Sequence, residues 1–432
     1  MKRLPAVLAA ALFAVAPSAV ATPGDPYAPQ YYFDQWHLHQ LWARGANGHG
    51  IDIAEIDTGV DASLGVFSGR IAPGTDFGQL GGDGETDRDR DPYGHGTSMA
   101  SIMVGRPGQF GIQGVAPAAT LIPVAIPLTG TTDAQTNDRL PEAIRWAADH
   151  GAKIISMSLG GVRRETQNRT ACPDDEQQAI FYALRKGAIL FAASGNRGAN
   201  DDAVEEPGVC LGVVSVGAVD KHGTVAAFSS RHRYLTMTAP GVDIASIGPQ
   251  GAPFSGDGTS QATAIASAVA ALVWSKYPSL TGDQVVARML ATLDRRTTTT
   301  DPAYGYGIVN AYRAVTADVP TSAPDPVAAL ARPFMNAHVA RARAVRPPAP
   351  IVHNATPPGS YSVGSSPRLY EPRVLVAAGI GLAGLVALVG LAIGGVVARR
   401  RRRLAAAFAP PSPASGQSGP EWSPISDHWT QN

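Results

Sequence analysis

The chain has 432 residues and carries 35 Lys and Arg against 35 Asp and Glu. That length supports one large domain or two modest ones around a sizeable core. The balanced charge gives no electrostatic footprint for nucleic acid, so none is assigned as a partner.

Residues 1–21 read as a secretory signal peptide. Lys2 and Arg3 open it, an apolar run follows, and Ala19-Val20-Ala21 forms a small-x-small cleavage site. The mature chain then begins near Thr22. Residues 22–50 form an N-terminal extension of roughly thirty residues, below the size at which a domain folds alone. Its histidines, His37 and His39 in QWHLHQLW, are too few for a closed metal site and read as packing or solvated residues.

From 51 to 317 strand-like and helix-like stretches alternate. Ile51–Asp57 and Ala119–Ile126 read as strands. Pro141 stands at a favourable first-turn position of a helix that stops by Gly151. Lys153–Gly161 reads as a strand. Asp174–Ala188 reads as a helix, with acids at its start and Arg185, Lys186 and Gly187 at its end. Ala188–Asn196 and Gly212–Asp220 are further strands, and Thr281 with Gln284 makes a capping-box pattern. Short apolar strands separated by helices predict an α/β fold, a largely parallel sheet with helices on both faces. In such sheets the active site lies at the carboxyl ends of the strands. Cys172 and Cys210 are an even pair in an exported chain, which favours a disulfide.

Residues 318–373 turn rich in proline and small polar residues and read as an extended linker. Residues 374–398 are uncharged and long enough for one C-terminal transmembrane helix. Arg399–Arg403 follow at once, so the tail 399–432 is assigned to the cytoplasm and the bulk of the chain to the outer side of the cell membrane.

A serine hydroxyl is a poor nucleophile at neutral pH. It needs a base, an orienting acid for the base, and donors for the oxyanion. Asp57 ends a strand before Thr58-Gly59, His95 stands between glycines before a small-residue helix, Asn196 ends a strand, and Ser260 sits where a glycine turn enters an apolar helix. Each has a plainer reading alone: a loop cap, an isolated histidine, a turn asparagine, a helix N-cap. Together, in this order and at element boundaries, they point to nucleophilic acyl transfer.

IDTGVD, GHGTSMAS, AASGN and GTSQA, closed by YGYGIVNAYRAV, resemble the motifs of the subtilisin-like serine peptidases. The resemblance implies a subtilisin-like catalytic domain over 51–317, no required cofactor, and peptides or exported proteins as substrates. It implies that Ser260 attacks the peptide carbonyl, His95 relays the proton, Asp57 holds the imidazole, and Asn196 with the Ser260 N–H binds the oxyanion. It also implies that Ser158, Leu159 and Gly160 line the cleft and pair with substrate backbone. Activity should fall as His95 protonates, near its reference value of ~6.5.

Two positions depart from the family pattern, Gln261 for Met or Phe and Ala264 for Pro; Gln261 is expected to face the cleft and alter its polarity. Asp83, Glu85, Asp87, Asp89 and Asp91 offer oxygen ligands of the kind calcium takes. Interleaved Arg88 and Arg90, and a spacing unlike an EF-hand, favour a solvated, salt-bridged loop, and no metal is assigned. The Gln-Trp entry DQWHLHQLW, the cysteine pair, the linker and the single membrane helix resemble the mycosins, the membrane-anchored subtilases of type VII secretion. That resemblance implies a type VII membrane complex as a partner. A structural role in such a complex, with catalysis secondary, is the rival reading of the same anchor.

Overall fold

In a computed structural model of the chain, the described residues are 30–78, 81–89, 93–108, 110–128, 139–161, 172–198 and 204–344. The segments expected as signal peptide (1–21), membrane helix (374–398) and cytoplasmic tail (399–432) lie outside the described residues. Among the described residues, no helix is long and apolar enough to cross a membrane.

Strand β1 (Asp52–Asp57) lies inside a seven-stranded parallel sheet. The others are β2 (Thr75–Asp76), β3 (Thr120–Ala125), β4 (Ile154–Met157), β5 (Ile189–Ala193), β6 (Val213–Val219) and β7 (Met237–Pro240). Their order is β2-β3-β1-β4-β5-β6-β7. The chain therefore builds outward from β1 in one direction, then in the other. The carboxyl end of β1 is the switch point where such sheets open a crevice.

Strand periodicity divides β1 between two cores. Ile51 and Ile53 join the cluster under α3 (His95–Val104) and α6 (Thr259–Lys276). Ala54 and Ile56 join the cluster under α4 (Leu140–Asp149) and α5 (Asp174–Arg185). Both faces are covered, so the strands are apolar on both sides, as the sequence pattern implied. Helix α6 is about 27 Å long at helical rise, and residues 259–274 are all buried. It packs on β4, β5, β6 and β7 as well as α3. A helix enclosed on all sides needs no amphipathic stripe, which accounts for its unbroken run of small and apolar residues.

The N-terminal extension is part of this core. Helices α1 (Tyr31–Gln35) and α2 (Leu38–Ala43) bury Tyr32, Phe33, Leu38 and Leu41. His37 meets Tyr312 edge-on and His39 meets Trp42, and both histidines remain exposed. The disulfide joins Cys172 to Cys210. It ties the entry of α5 to the turn before β6.

Three sequence readings change. The strand expected over Lys153–Gly161 stops at Met157, because Ser158 turns its side chain to the N-terminus of α6. Strand β7 and the antiparallel hairpin β8 (Ile244–Ile247) with β9 (Pro253–Gly256) went unread, being only four residues each. Helix α7 (Gly282–Ala291) forms with its capping box as expected. The linker assignment gives way between 326 and 344, where α9 (Pro326–Ala344) forms. Asp325 accepts from the N–H groups of Val327 and Ala328, and Ala328 and Ala331 are buried, so capping and packing outweigh the proline-rich composition.

Candidate active site

Asp57 is the last residue of β1 and is 1% exposed. Its Oδ1 accepts from the Thr58 N–H at 2.8 Å and lies 2.7 Å from His95 Nδ1. His95 is the first residue of α3. The free donors of that helix terminus are each met by an acceptor from the loops around it. Asp89 accepts from His95 N–H, Thr58 Oγ1 from Gly96 N–H, and Asp87 from Thr97 N–H and its hydroxyl. Thr58 in turn donates its hydroxyl to Asp87 at 2.8 Å. The imidazole is thus held by its ring, its backbone and the turn beneath it. A side chain at Gly96 would strike the Gly59 carbonyl at 2.1 Å, so glycine there lets α3 approach β1.

The acidic loop is therefore only partly a solvated one. Asp76 pairs with Arg88 at 2.9 Å, as a salt-bridged loop requires. Asp87 and Asp89 instead cap the helix that carries His95. Burial raises the Asp87 carboxyl above its ordinary range, against the opposing donors from Thr97, Asp89 and Thr58. Among the described residues, the grouping with metal-ligand spacing is Cys172, Glu176 and Cys210, and its two sulfurs form the disulfide.

Burial of the His95 ring pulls its pKa down, but the charge of Asp57 and the hydrogen bond to it outweigh that. With Asp89 and Asp87 adding to the field, His95 rises from 6.5 to about 9. Against the sequence expectation of a transition near 6.5, three acidic groups, Asp57, Asp89 and Asp87, shift the base upward.

Ser260 is the second residue of α6 and is 9% exposed. Its hydroxyl donates to the Ser158 carbonyl at 2.9 Å, and Ser158 Oγ donates back to the Ser260 carbonyl at 2.9 Å. This reciprocal pair pins the start of α6 to the end of β4. Asn196, past the end of β5, accepts from both the N–H and the hydroxyl of Thr259, each at 2.9 Å. Two donors on Oδ1 fix the amide orientation and leave its NH2 group as the donor beside the helix N-terminus. The Ser260 N–H, in the first turn, has no intrahelical acceptor. A helix N-terminus also contributes partial positive charge at this point.

The structure brings Asp57 and His95 into direct contact and joins Ser260 to Ser158. Leu159 instead turns into the core under α4 and α5, and Gly160 is exposed. The Gln261 side chain lies against the turn that leads into α6. It is 7% exposed and folds back over the turn, where side chains at Gly256 and Gly258 would strike its amide at 2.8 and 2.4 Å. Sequence reasoning missed Thr58, Asp87 and Asp89, whose signal was acids and a threonine beside a helix start. It also missed Glu55, the one acid inside an otherwise apolar stretch of β1.

A strand-end acid locked to a helix-mounted imidazole, and a serine at the N-terminus of a helix packed on that one, are the parts a serine peptidase uses on a parallel sheet. The chain belongs to the subtilase family, whose Peptidase_S8 model matches residues 48–307. Thermitase of Thermoactinomyces vulgaris is 33% identical over 300 residues, which cover 68% of this chain and 99% of that protein. The crystal structure of MycP1 from Mycobacterium smegmatis superposes with a TM-score of 0.59 at 26% identity, covering 70% of this chain and 89% of that one. The MycP3 protease from the type VII (ESX-3) secretion system gives 0.56 at 31% identity, covering 68% and 90%.

Proposed function

We propose that the chain is a membrane-anchored endopeptidase on the outer side of the cell membrane, acting on exported proteins or peptides beside a type VII secretion complex. The 2.7 Å contact between Asp57 and His95 carries the chemical part of this reading. The likeness to MycP1 and MycP3 supports the secretion part, and the apolar segment 374–398 followed by five arginines supports the anchor.

In this reading Ser260 attacks the scissile carbonyl and His95 Nε2 takes its proton. Asp57 fixes the tautomer through Nδ1 and stabilises the imidazolium. The tetrahedral oxyanion is received by the Asn196 NH2 group and the Ser260 N–H. His95 then protonates the leaving amine, and water repeats the sequence on the acyl-enzyme. The hydroxyl rests on the Ser158 carbonyl, so each turnover begins with its rotation toward the imidazole. A protonated His95 cannot accept that proton, which makes the Ser158 carbonyl the natural acceptor until the base is neutral. Exposed Gly160, just past β4, leaves room for extended substrate backbone to align there.

A fluorophosphonate probe applied to the full-length protein in detergent tests the chemistry. Labelling of the wild type and none of Ser260→Ala is expected; an unlabelled, folded wild type refutes it. For the cellular role, a Ser260→Ala strain is compared with one lacking the gene. New termini on exported proteins that vanish in both strains support proteolysis. Normal secretion in Ser260→Ala alone supports the structural role instead.

A further inference from the structure

Glu55 precedes Asp57 by two residues on β1, so both side chains project from the same face of the sheet. That face is covered by α3 and α6. Glu55 is 1% exposed, and among the described residues neither of its oxygens has a hydrogen-bond partner. Its register neighbours are Pro123 on β3 and Ser156 on β4, and the Ser156 hydroxyl is engaged by Ser267 of α6 at 3.0 Å. On Asp57, both donors fall on Oδ1, and among the described residues the buried Oδ2 has none.

Two carboxyls on one strand face, two residues apart, lie about 7 Å apart along the backbone. Buried together they do not both ionise at neutral pH, and the charge settles on the one with donors. Asp57 has two donors and Glu55 has none. The proton therefore resides on Glu55, and the nearest unserved buried acceptor on its own strand face is Asp57 Oδ2. We propose that Glu55 is a positioning residue for the Asp57–His95 pair: a neutral acid that donates its proton toward Asp57 Oδ2, directly or through one water, and keeps the negative charge of the site on Asp57.

The direction of the Glu55 titration agrees. Burial, then the charges of Asp57 and Asp87, raise its carboxyl well above the ordinary range. Among the described residues, the charges acting on it are Asp57 on its own strand and Asp87 from the loop before α3, and the titratable side chain on α3 is His95, which Asp57 holds. Strands β3 and β4 contribute no titratable side chain. The only one on α6 is Lys276, at the far end and bonded to the Arg44 carbonyl.

This role rests on the peptidase reading, so the test has one arm that needs no activity. Infrared difference spectra of the full-length Ser260→Ala protein, with and without Glu55→Gln, are taken at pH 7. A protonated-carboxyl C=O band lost in Glu55→Gln is expected; loss of carboxylate bands alone overturns the proposal. The second arm is the pH profile of kcat/KM on a peptide substrate. Glu55→Gln keeps a neutral donor, so its acid limb stays within about 0.3 pH unit of wild type. Glu55→Leu removes the donor and leaves the full Asp57 charge on His95. Its limb moves up by about half to one unit, roughly a three- to tenfold loss of kcat/KM below the limb. A Glu55→Gln limb displaced downward by about one unit shows that Glu55 was ionised and overturns the proposal. A Glu55→Leu limb that coincides with wild type reduces the residue to packing and also overturns it. Should Glu55→Leu not fold, the infrared band and the Glu55→Gln limb decide. An unlabelled wild type in the fluorophosphonate assay sinks the peptidase reading, and the infrared arm still decides the protonation of Glu55.

Discussion

Replacing Asp57 by Asn tests the field that surrounds the base. In the wild type His95 stands at about 9, against 6.5 for an ordinary imidazole. Taken at face value that separation is about 3 kcal/mol of preference for the imidazolium. The ring is 34% exposed, so solvent screening brings the figure to about 2 kcal/mol. Since His95 must be neutral to accept a proton, wild-type kcat/KM climbs as pH rises through the region below 9. In Asp57→Asn the largest attractive charge is gone, burial of the ring still opposes protonation, and only Asp89 and Asp87 remain to raise it, so the acid limb drops well below 9 toward 6.5. The plateau rate also falls by about 10⁴, the scale known for the same change in another serine-protease triad, because the amide favours the wrong tautomer. The assay is kcat/KM from pH 5 to 10, with fluorophosphonate labelling rates as a check that proton transfer is being read. A wild-type limb near 6, or an Asp57→Asn limb unmoved from wild type, refutes the reasoning. The same linkage has a stability side. A raised histidine stabilises the fold fully below pH 6.5 and loses that contribution as pH rises through 9. Wild type should therefore lose about 2 kcal/mol relative to His95→Gln over that window in urea unfolding.

Asn196→Ala removes an oxyanion donor and the acceptor for Thr259 together; kcat should fall about 10²–10³-fold, the scale measured for a subtilisin asparagine, with about 1 kcal/mol lost from the α6 cap in thermal unfolding. Gly96→Ala drives a methyl against the Gly59 carbonyl; urea unfolding should show a loss of about 2–3 kcal/mol, with slower Ser260 labelling because α3 carries His95. Glu55 is a buried acid whose pKa is raised on folding, so its contribution is intact below the unfolded value and is lost as pH rises above it. Glu55→Gln should therefore gain on wild type by up to about 1.4 kcal/mol per pH unit above pH 4.3. Equal pH slopes for the two proteins contradict that burial.

Much of this site was legible because its residues sit at element boundaries. Asp57 closes a strand, Asn196 follows one by three residues and Ser260 opens a helix, and the apolar runs beside them carry period and length enough to be read. The alternation of short strands with helices fixed the parallel sheet, since no other packing buries strands apolar on both faces. Tertiary structure alone decided the rest. That the Ser260 hydroxyl rests on the Ser158 carbonyl depends on two segments 102 residues apart. That Asp87 and Asp89 cap α3 instead of meeting solvent depends on where the loop folds. Helix α9 exists because its face finds a partner surface, which a composition rich in proline does not reveal. The elevation of His95 is the clearest case, because electrostatic energy follows distance through space, and sequence order does not record how many acids converge on one imidazole.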